Sequence, residues 1–306
     1  MSSARQTQSY LIRRFDEAGI HPETRHGQNF LIDLNLLDLI VESAALDSQD
    51  VVLEVGTGMG SLTARMAERA AHVVTVEIDP RLHQMASEEL ELLPNVTMLL
   101  QDALKSKNTI EPGVLAAVRE QLAAQPDRQF KLVSNLPYNI ATPILSNLLL
   151  VDPLPVSLTA TIQKELADRM LARPSTKDYS ALSIWMQAVA DVQIVRTMPP
   201  QAFWPRPKVE SAILHIVPSP EKRARLADPA FFHQFVRSLF LHRRKFLRGV
   251  MIAAFSEQFD KAAIDEILSQ FSFAPDARAE QLEVEQLIAL AEAVRVRLGH
   301  TESAER

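Results

Sequence analysis

Short runs of β-branched and aliphatic residues alternate with longer helical patterns over the first two-thirds of the chain, which predicts a mostly parallel α/β sheet. DVVLEV (50–55) reads as a buried strand, followed by GTGMG and a helix from about Ser61 to Arg69. HVVTVEI (72–78) is a second strand, with Pro80 opening the next helix at a position where proline is tolerated. NVTMLLQD (95–102), FKLVSN (130–135) and LTATIQ (158–163) continue the series, with helices expected from about Thr142 to Leu150 and over KELADRMLA. The segment 103–129 is weakly patterned and reads as an insertion containing a helix. DVQIVRTM and VESAILHIV form a pair closing the sheet, joined by the proline-rich PPQAFWPRPK. Beyond Pro218 and Pro220 the period becomes helical to the end. The expected organisation is a large α/β domain over 1–218 and a small all-α domain over 219–306.

Composition narrows the picture. A chain of 306 residues, 47% hydrophobic and 23% charged, is ordinary for a soluble protein with a sizeable core. No apolar run approaches the roughly 20 residues needed to span a bilayer. The start, MSSARQTQSYLIRRFDEAGI, lacks a signal-peptide core, so a cytoplasmic protein is expected. The absence of cysteine excludes disulfides, thiolate metal sites and thiol nucleophiles. Eight scattered histidines give no metal-binding spacing, and no metal is expected. The net charge of −6 argues against indiscriminate coating of nucleic acid, but the charge is uneven. Residues 205–250 hold ten Lys/Arg against three Asp/Glu, whereas 251–306 hold five against eleven.

The chemistry concentrates at strand ends. Three of the eight glycines, Gly56, Gly58 and Gly60, lie between a strand and a helix, where backbone can turn sharply and approach a ligand. The spacing is G-x-G-x-G, not that of dinucleotide sites. Glu77 ends the second strand, where an acid can accept from both hydroxyls of a ribose, and Asp102 ends the third, where it can hold an adenine amino group. The fourth strand ends in NLPY. Pro137 forces Leu136 to be extended and can leave its carbonyl outward; Asn135 supplies a second acceptor and Tyr138 a flat face. Two acceptors on one aromatic amine localise its lone pair and aim it at an electrophile.

GQNFLID (27–33), EVGTGMG, VEID, QDAL, NLPYNIATPI and AFWPRPKVESAI occur together and in this order. In them the chain resembles the ribosomal RNA adenine N6,N6-dimethyltransferases of the small-subunit, kasugamycin-sensitivity type, over roughly residues 20–250. The resemblance implies a class I methyltransferase, Rossmann-like with a mostly parallel sheet and a C-terminal all-α domain. It also implies S-adenosyl-L-methionine as cofactor, the small ribosomal subunit and its 16S rRNA as partner, and a monomer when free. Asn29, Leu31, Gly56, Gly58, Glu77, Asp102 and Asn135 would hold the cofactor. Asn135, Leu136, Pro137 and Tyr138 would form the catalytic loop, with Phe203 stacking on the target adenine opposite Tyr138. Asn29 and Leu31 can also be read as a helix cap and a core leucine, and Phe203 as a hairpin anchor. Trp204 and Arg206 stand where the family often has threonine and proline, Arg25 and His26 replace a common lysine, and Phe246 replaces a small residue.

RSLFLHRRKFLRGVM reads as one basic helix whose Arg237, Arg244 and Arg248 share a face, with Arg243 and Lys245 adding charge and no acid among the five. That pattern suits phosphate contacts, or a solvated face. Two alternatives keep the same residues: a large-subunit rRNA adenine N6-methyltransferase, and an assembly factor whose docking on the subunit matters more than catalysis.

Overall fold

The computed structural model describes residues 7–19, 22, 28–242 and 245–304. Seven strands form the central sheet: β1 (Asp50–Val55), β2 (His72–Glu77), β3 (Val96–Leu100), β4 (Gln129–Asn135), β5 (Ser157–Gln163), β6 (Ala190–Met198) and β7 (Ser211–Pro218). Their order is β3-β2-β1-β4-β5-β7-β6. The five strands from β3 to β5 are parallel, and β7 runs antiparallel to β5. Every residue of β1 is buried, as a parallel strand covered on both faces requires. The chain moves outward from β1 through β2 to β3, then returns to β4 on the other side of β1. That reversal opens a crevice at the carboxyl ends of β1 and β4, where open α/β sheets bind ligands.

The weakly patterned stretch after β3 forms a small hairpin, Leu104–Ser106 with Thr109–Ile110, and the helix Pro112–Ala123. Two further two-residue strands, Phe30–Leu31 and Phe203–Trp204, pair antiparallel, with Phe30 facing Trp204 and Leu31 facing Phe203. This ladder ties the GQNFL stretch to the FWPRPKV stretch, which are far apart in sequence.

The chain forms two compact units, and the division is not a single cut. One holds residues 1–167 and 193–218; the other holds 168–192 and 219–306. The expected boundary at 218 is one of three crossings, and 168–192 leaves the first domain. The reason is packing. Tyr179 and Trp185 are almost fully buried in the second unit, the Tyr179 hydroxyl donates to the Leu282 carbonyl at 2.9 Å, and the His233 ring lies 4.7 Å from Trp185. Among the described residues no helix is long and apolar enough to cross a membrane.

The basic stretch is not one helix. Helix Pro229–Phe240 stops, and a separate helix, Leu247–Ala254, follows it. Arg237 and Arg248, expected on one face with Arg244, therefore stand on separate helices, and Arg244 lies outside the described residues.

Candidate active site

The glycine loop follows β1 and takes its shape from backbone that other residues resist. Gly56 and Gly58 have φ of +89° and +56°. A Cβ on Gly56 would stand 3.2 Å from Cδ and Cγ of Pro137, so the loop presses directly against NLPY. The Gly56 amide donates to the Val76 carbonyl at 2.8 Å, and the Gly58 amide to Glu77 Oε2 at 3.0 Å.

Glu77 is 5% exposed at the end of β2. Its Oε1 accepts from the amides of Ile78 and Asp79, both at 3.0 Å. Burial pushes its carboxyl above the usual range, and the three backbone donors oppose that shift. A carboxylate has about four lone-pair sites. Three are occupied by backbone, which leaves capacity for one further donor unless an amide yields.

Asn135 ends β4, and its Nδ2 donates to the Asn29 carbonyl at 2.9 Å. A carbonyl cannot donate, so the NH₂ must face Asn29 and the oxygen must face away. Among the described residues none donates to Asn135 Oδ1 or to the Leu136 carbonyl. The Leu136 amide donates to the Thr161 carbonyl of β5 at 3.2 Å while its side chain is buried, which anchors the residue preceding Pro137. The Tyr138 hydroxyl shares a 2.6 Å hydrogen bond with Ser211, holding the ring at the rim. Burial raises the Tyr138 pKa further, so this phenol stays neutral at physiological pH.

Asn29, Leu31, Gly56, Gly58, Glu77, Asn135, Leu136, Pro137 and Tyr138 line one cleft. Two expected residues are not among them. Asp102 stands exposed beyond β3, where its Oδ1 accepts from the Leu104 amide at 2.9 Å and shapes the turn. Phe203 is 2% exposed and packs in the core with Leu31, Ala202 and Ile213. Phe203 pairs with Leu31, which does line the cleft, but is not itself among the lining residues.

Other wall residues were not anticipated: Leu11, Phe30, Glu54, Thr57, Met59, Ile78 and Leu82. Glu54 carried a visible signal, an acid inside a buried aliphatic strand. Its Oε2 accepts from the hydroxyls of Thr63 at 2.5 Å and Thr75 at 2.6 Å. Burial pushes its pKa up to about 8, against those two hydrogen bonds and with help from the nearby Glu77 charge. Between about 4.5, the ordinary value, and about 8 the folded state holds a proton that the unfolded state releases. This contribution is complete below the lower value and is lost as pH rises through the upper one. Glu54→Gln should therefore flatten a decline in stability of up to about 1.4 kcal/mol per pH unit over that window. Thermal melts at pH 5 to 8 measure it, and an identical slope in the variant would refute it.

Of the basic residues, Arg237 and Lys245 are exposed. Arg248 is held by a two-pronged pair with Asp265, Nε to Oδ1 at 2.6 Å and Nη2 to Oδ2 at 2.8 Å. No acid is near it in sequence, but one from the next helix neutralises it in space. Arg243 and Arg244 lie outside the described residues, as do Arg25 and His26. Among the described residues no cluster of three or more His, Asp or Glu is arranged to hold a metal ion.

A family model described as ribosomal RNA adenine dimethylase matches residues 21–294. The chain belongs to that family. It is 39% identical over 272 residues to the ribosomal RNA small subunit methyltransferase A of Bacillus mycoides (strain KBAB4), covering 88% of this chain and 89% of the relative. The corresponding protein of Bacillus anthracis (strain CDC 684 / NRRL 3495) matches equally, at 39%. The fold agrees with that of a dimethyladenosine transferase from Plasmodium falciparum, with a TM-score of 0.70, 24% identity, and 87% and 97% of the two chains covered. The 23S rRNA methyltransferase ErmE aligns with a TM-score of 0.59 at 27% identity, over 87% of this chain and 100% of that one. As a ribosomal RNA adenine dimethylase the chain is a methyltransferase, and its sheet is the methyltransferase sheet the sequence predicted. The match spans both units of this dimethylase, so the helical unit is part of the family's structure and not an appendage.

Proposed function

We propose that the chain transfers methyl groups from S-adenosyl-L-methionine to N6 of two adjacent adenosines near the 3′ end of 16S rRNA, during cytoplasmic assembly of the small subunit. The named relatives support the small-subunit target. The observation that carries the chemistry is the Asn135–Asn29 hydrogen bond, because it turns an ambivalent amide into a fixed acceptor beside the Leu136 carbonyl.

The cleft suits the donor. S-adenosyl-L-methionine supplies an electrophilic methyl group on a sulfonium. Glu77 offers an acceptor for a ribose hydroxyl, Ile78 and Leu82 offer apolar wall, and Gly56 and Gly58 let the loop pack tightly against Pro137 and Phe30, two of the other walls. Asp102 shares the strand-end edge, and its adenine contact rests on that position alone. A target adenine presents its NH₂ to Asn135 Oδ1 and Leu136 O, with Tyr138 giving a face for stacking, as unpaired RNA bases require. Both acceptors draw on the amine hydrogens and return electron density to nitrogen. Rate then comes from positioning and electrostatics. Neutral Tyr138 is no base, and the proton can leave after the C–N bond forms. A monomethylated amine returns with one N–H, so the second round uses one of the two acceptors.

Arg237 and Lys245, with Arg243 and Arg244, would face RNA phosphates. Arg248 would do so only by giving up its pair with Asp265. Arg248→Ala should leave the salt dependence of subunit binding unchanged, whereas Lys245→Glu should weaken binding and flatten its salt slope by about one ion. Equal effects of the two substitutions would remove the distinction. Labelled methyl transfer onto unmethylated small subunits and onto naked rRNA, followed by mapping of the modified base, tests the function. Methylation only of large-subunit RNA would overturn it.

A further inference from the structure

Helix Gln8–Glu17 reaches the cleft through one narrow face. Its buried side chains are Leu11 and Phe15, four residues apart, and a helix of this length is marginal in water without packing. Leu11 lines the cleft. Phe15 meets two rings edge-on: Phe30 at 5.3 Å and 69°, and Trp204 at 5.2 Å and 88°. Those rings lie 6.2 Å apart on residues that face each other in the short ladder. Phe30 is itself cleft wall, with ring carbons 3.2 and 3.3 Å from where a Cβ on Gly58 would sit. The helix is also tied to Pro80–Leu90. The Tyr10 hydroxyl donates to Glu89, and Arg14 pairs with Glu88 at 2.9 Å. Leu82 and Met85 from that helix complete one apolar cluster with Leu11, Phe15 and Met59.

We infer that Trp204 is a positioning residue for the methyl donor: by holding Phe15 and Phe30 it fixes the N-terminal helix as a wall of the donor cleft, so that donor occupancy and helix order stabilise each other. The inference rests on the donor reading above. Its logic is differential contact. A ligand that touches Leu11 and Phe30 only when the helix is docked must favour the docked state, and docking must favour the ligand by the same factor. Trp204 is the shared support because its indole contacts Phe15 from α-helical chain and Phe30 from the ladder at once. An edge-to-face partner of that size cannot be replaced by a small side chain.

Amide hydrogen exchange over residues 8–17, with and without S-adenosylhomocysteine, tests this in wild type, Trp204→Ala and Trp204→Phe, alongside calorimetric affinity. In wild type the compound should slow exchange across the helix by about tenfold or more, within the usual range of coupling. In Trp204→Ala the helix should exchange faster without ligand and affinity should fall about tenfold. The donor KM should rise while kcat at saturating donor and the KM for RNA hold, and Trp204→Phe should restore most of the loss. A residue with a purely structural role would lower Tm and leave ligand-dependent protection and the KM shift unmoved. If wild type binds the compound but exchange over 8–17 does not change, or if Trp204→Ala keeps wild-type affinity, the coupling is wrong. If wild type does not bind the compound, the donor reading itself fails, which is a separate result.

Discussion

Asn135→Ala is expected to lower the rate of methyl transfer by about 10²–10³-fold, the usual loss when one preorganised hydrogen-bonding group is removed from a reacting centre. The substitution deletes one of two acceptors for the target amine and releases the Asn29 carbonyl from its donor. Remaining catalysis would come from the Leu136 carbonyl and from donor placement. Asn135 is only partly buried, so the folded state should lose about 1 kcal/mol, one ordinary hydrogen bond. Subunit binding should persist, because the residues proposed to face phosphate lie elsewhere in the sequence. Single-turnover transfer, a thermal melt and a subunit-binding isotherm separate these effects. Transfer within a few-fold of wild type would show that Asn135 does not aim the amine. Loss of transfer together with loss of fold would leave Asn135→Asp to decide: it keeps an acceptor oxygen but offers no donor to Asn29, so impaired transfer in a folded Asn135→Asp confirms that the orienting bond matters, and full activity refutes it.

Gly56→Ala should damage stability and chemistry together. Its φ of +89° lies where an L side chain is strained, and the new Cβ would meet Pro137 at 3.2 Å. Backbone strain alone costs on the order of 1–3 kcal/mol. Relief by movement of Pro137 shifts the peptide that carries the Leu136 carbonyl, and a displacement near 1 Å costs roughly 10²-fold in rate. Tm should fall, donor affinity should weaken because the loop moves, and transfer should fall beyond what saturating donor can restore. A variant whose activity recovers fully at high donor concentration would show that loop and catalytic tetrad are mechanically independent.

The central sheet was legible because its strands are runs of β-branched residues punctuated by glycine and proline, and local pattern suffices for such elements. NLPY and the glycine loop were legible for a related reason: Gly56, Pro137 and Asn135 each have few uses at a strand end. Contacts made at long range were not. Phe203 looks like a stacking residue by its neighbours in sequence, and that pattern does not announce its pairing with Leu31 or its burial in the cluster around Leu31. Arg248 looks unopposed until Asp265 arrives from another helix. The break after Phe240 has no proline or glycine to announce it; the chain restarts at Leu247, whose amide donates to the carbonyl of Ala277, thirty residues on. Helix Gln8–Glu17 passed unnoticed because only Leu11 and Phe15 are buried, too few to make a stripe.

The passage of the chain between its two units has a consequence for how the protein is made. Residues 168–192 leave the synthetic machinery before β6 is complete and before β7 exists, yet the partners of Tyr179 and Trp185 are encoded after residue 219. The nascent chain must therefore carry Tyr179 and Trp185 uncovered until the residues that bury them have been made. A gene fragment ending at codon 218 would leave those two side chains permanently uncovered, so a clean separation of the units requires excising two segments and rejoining the chain at Ala167 and Gln193.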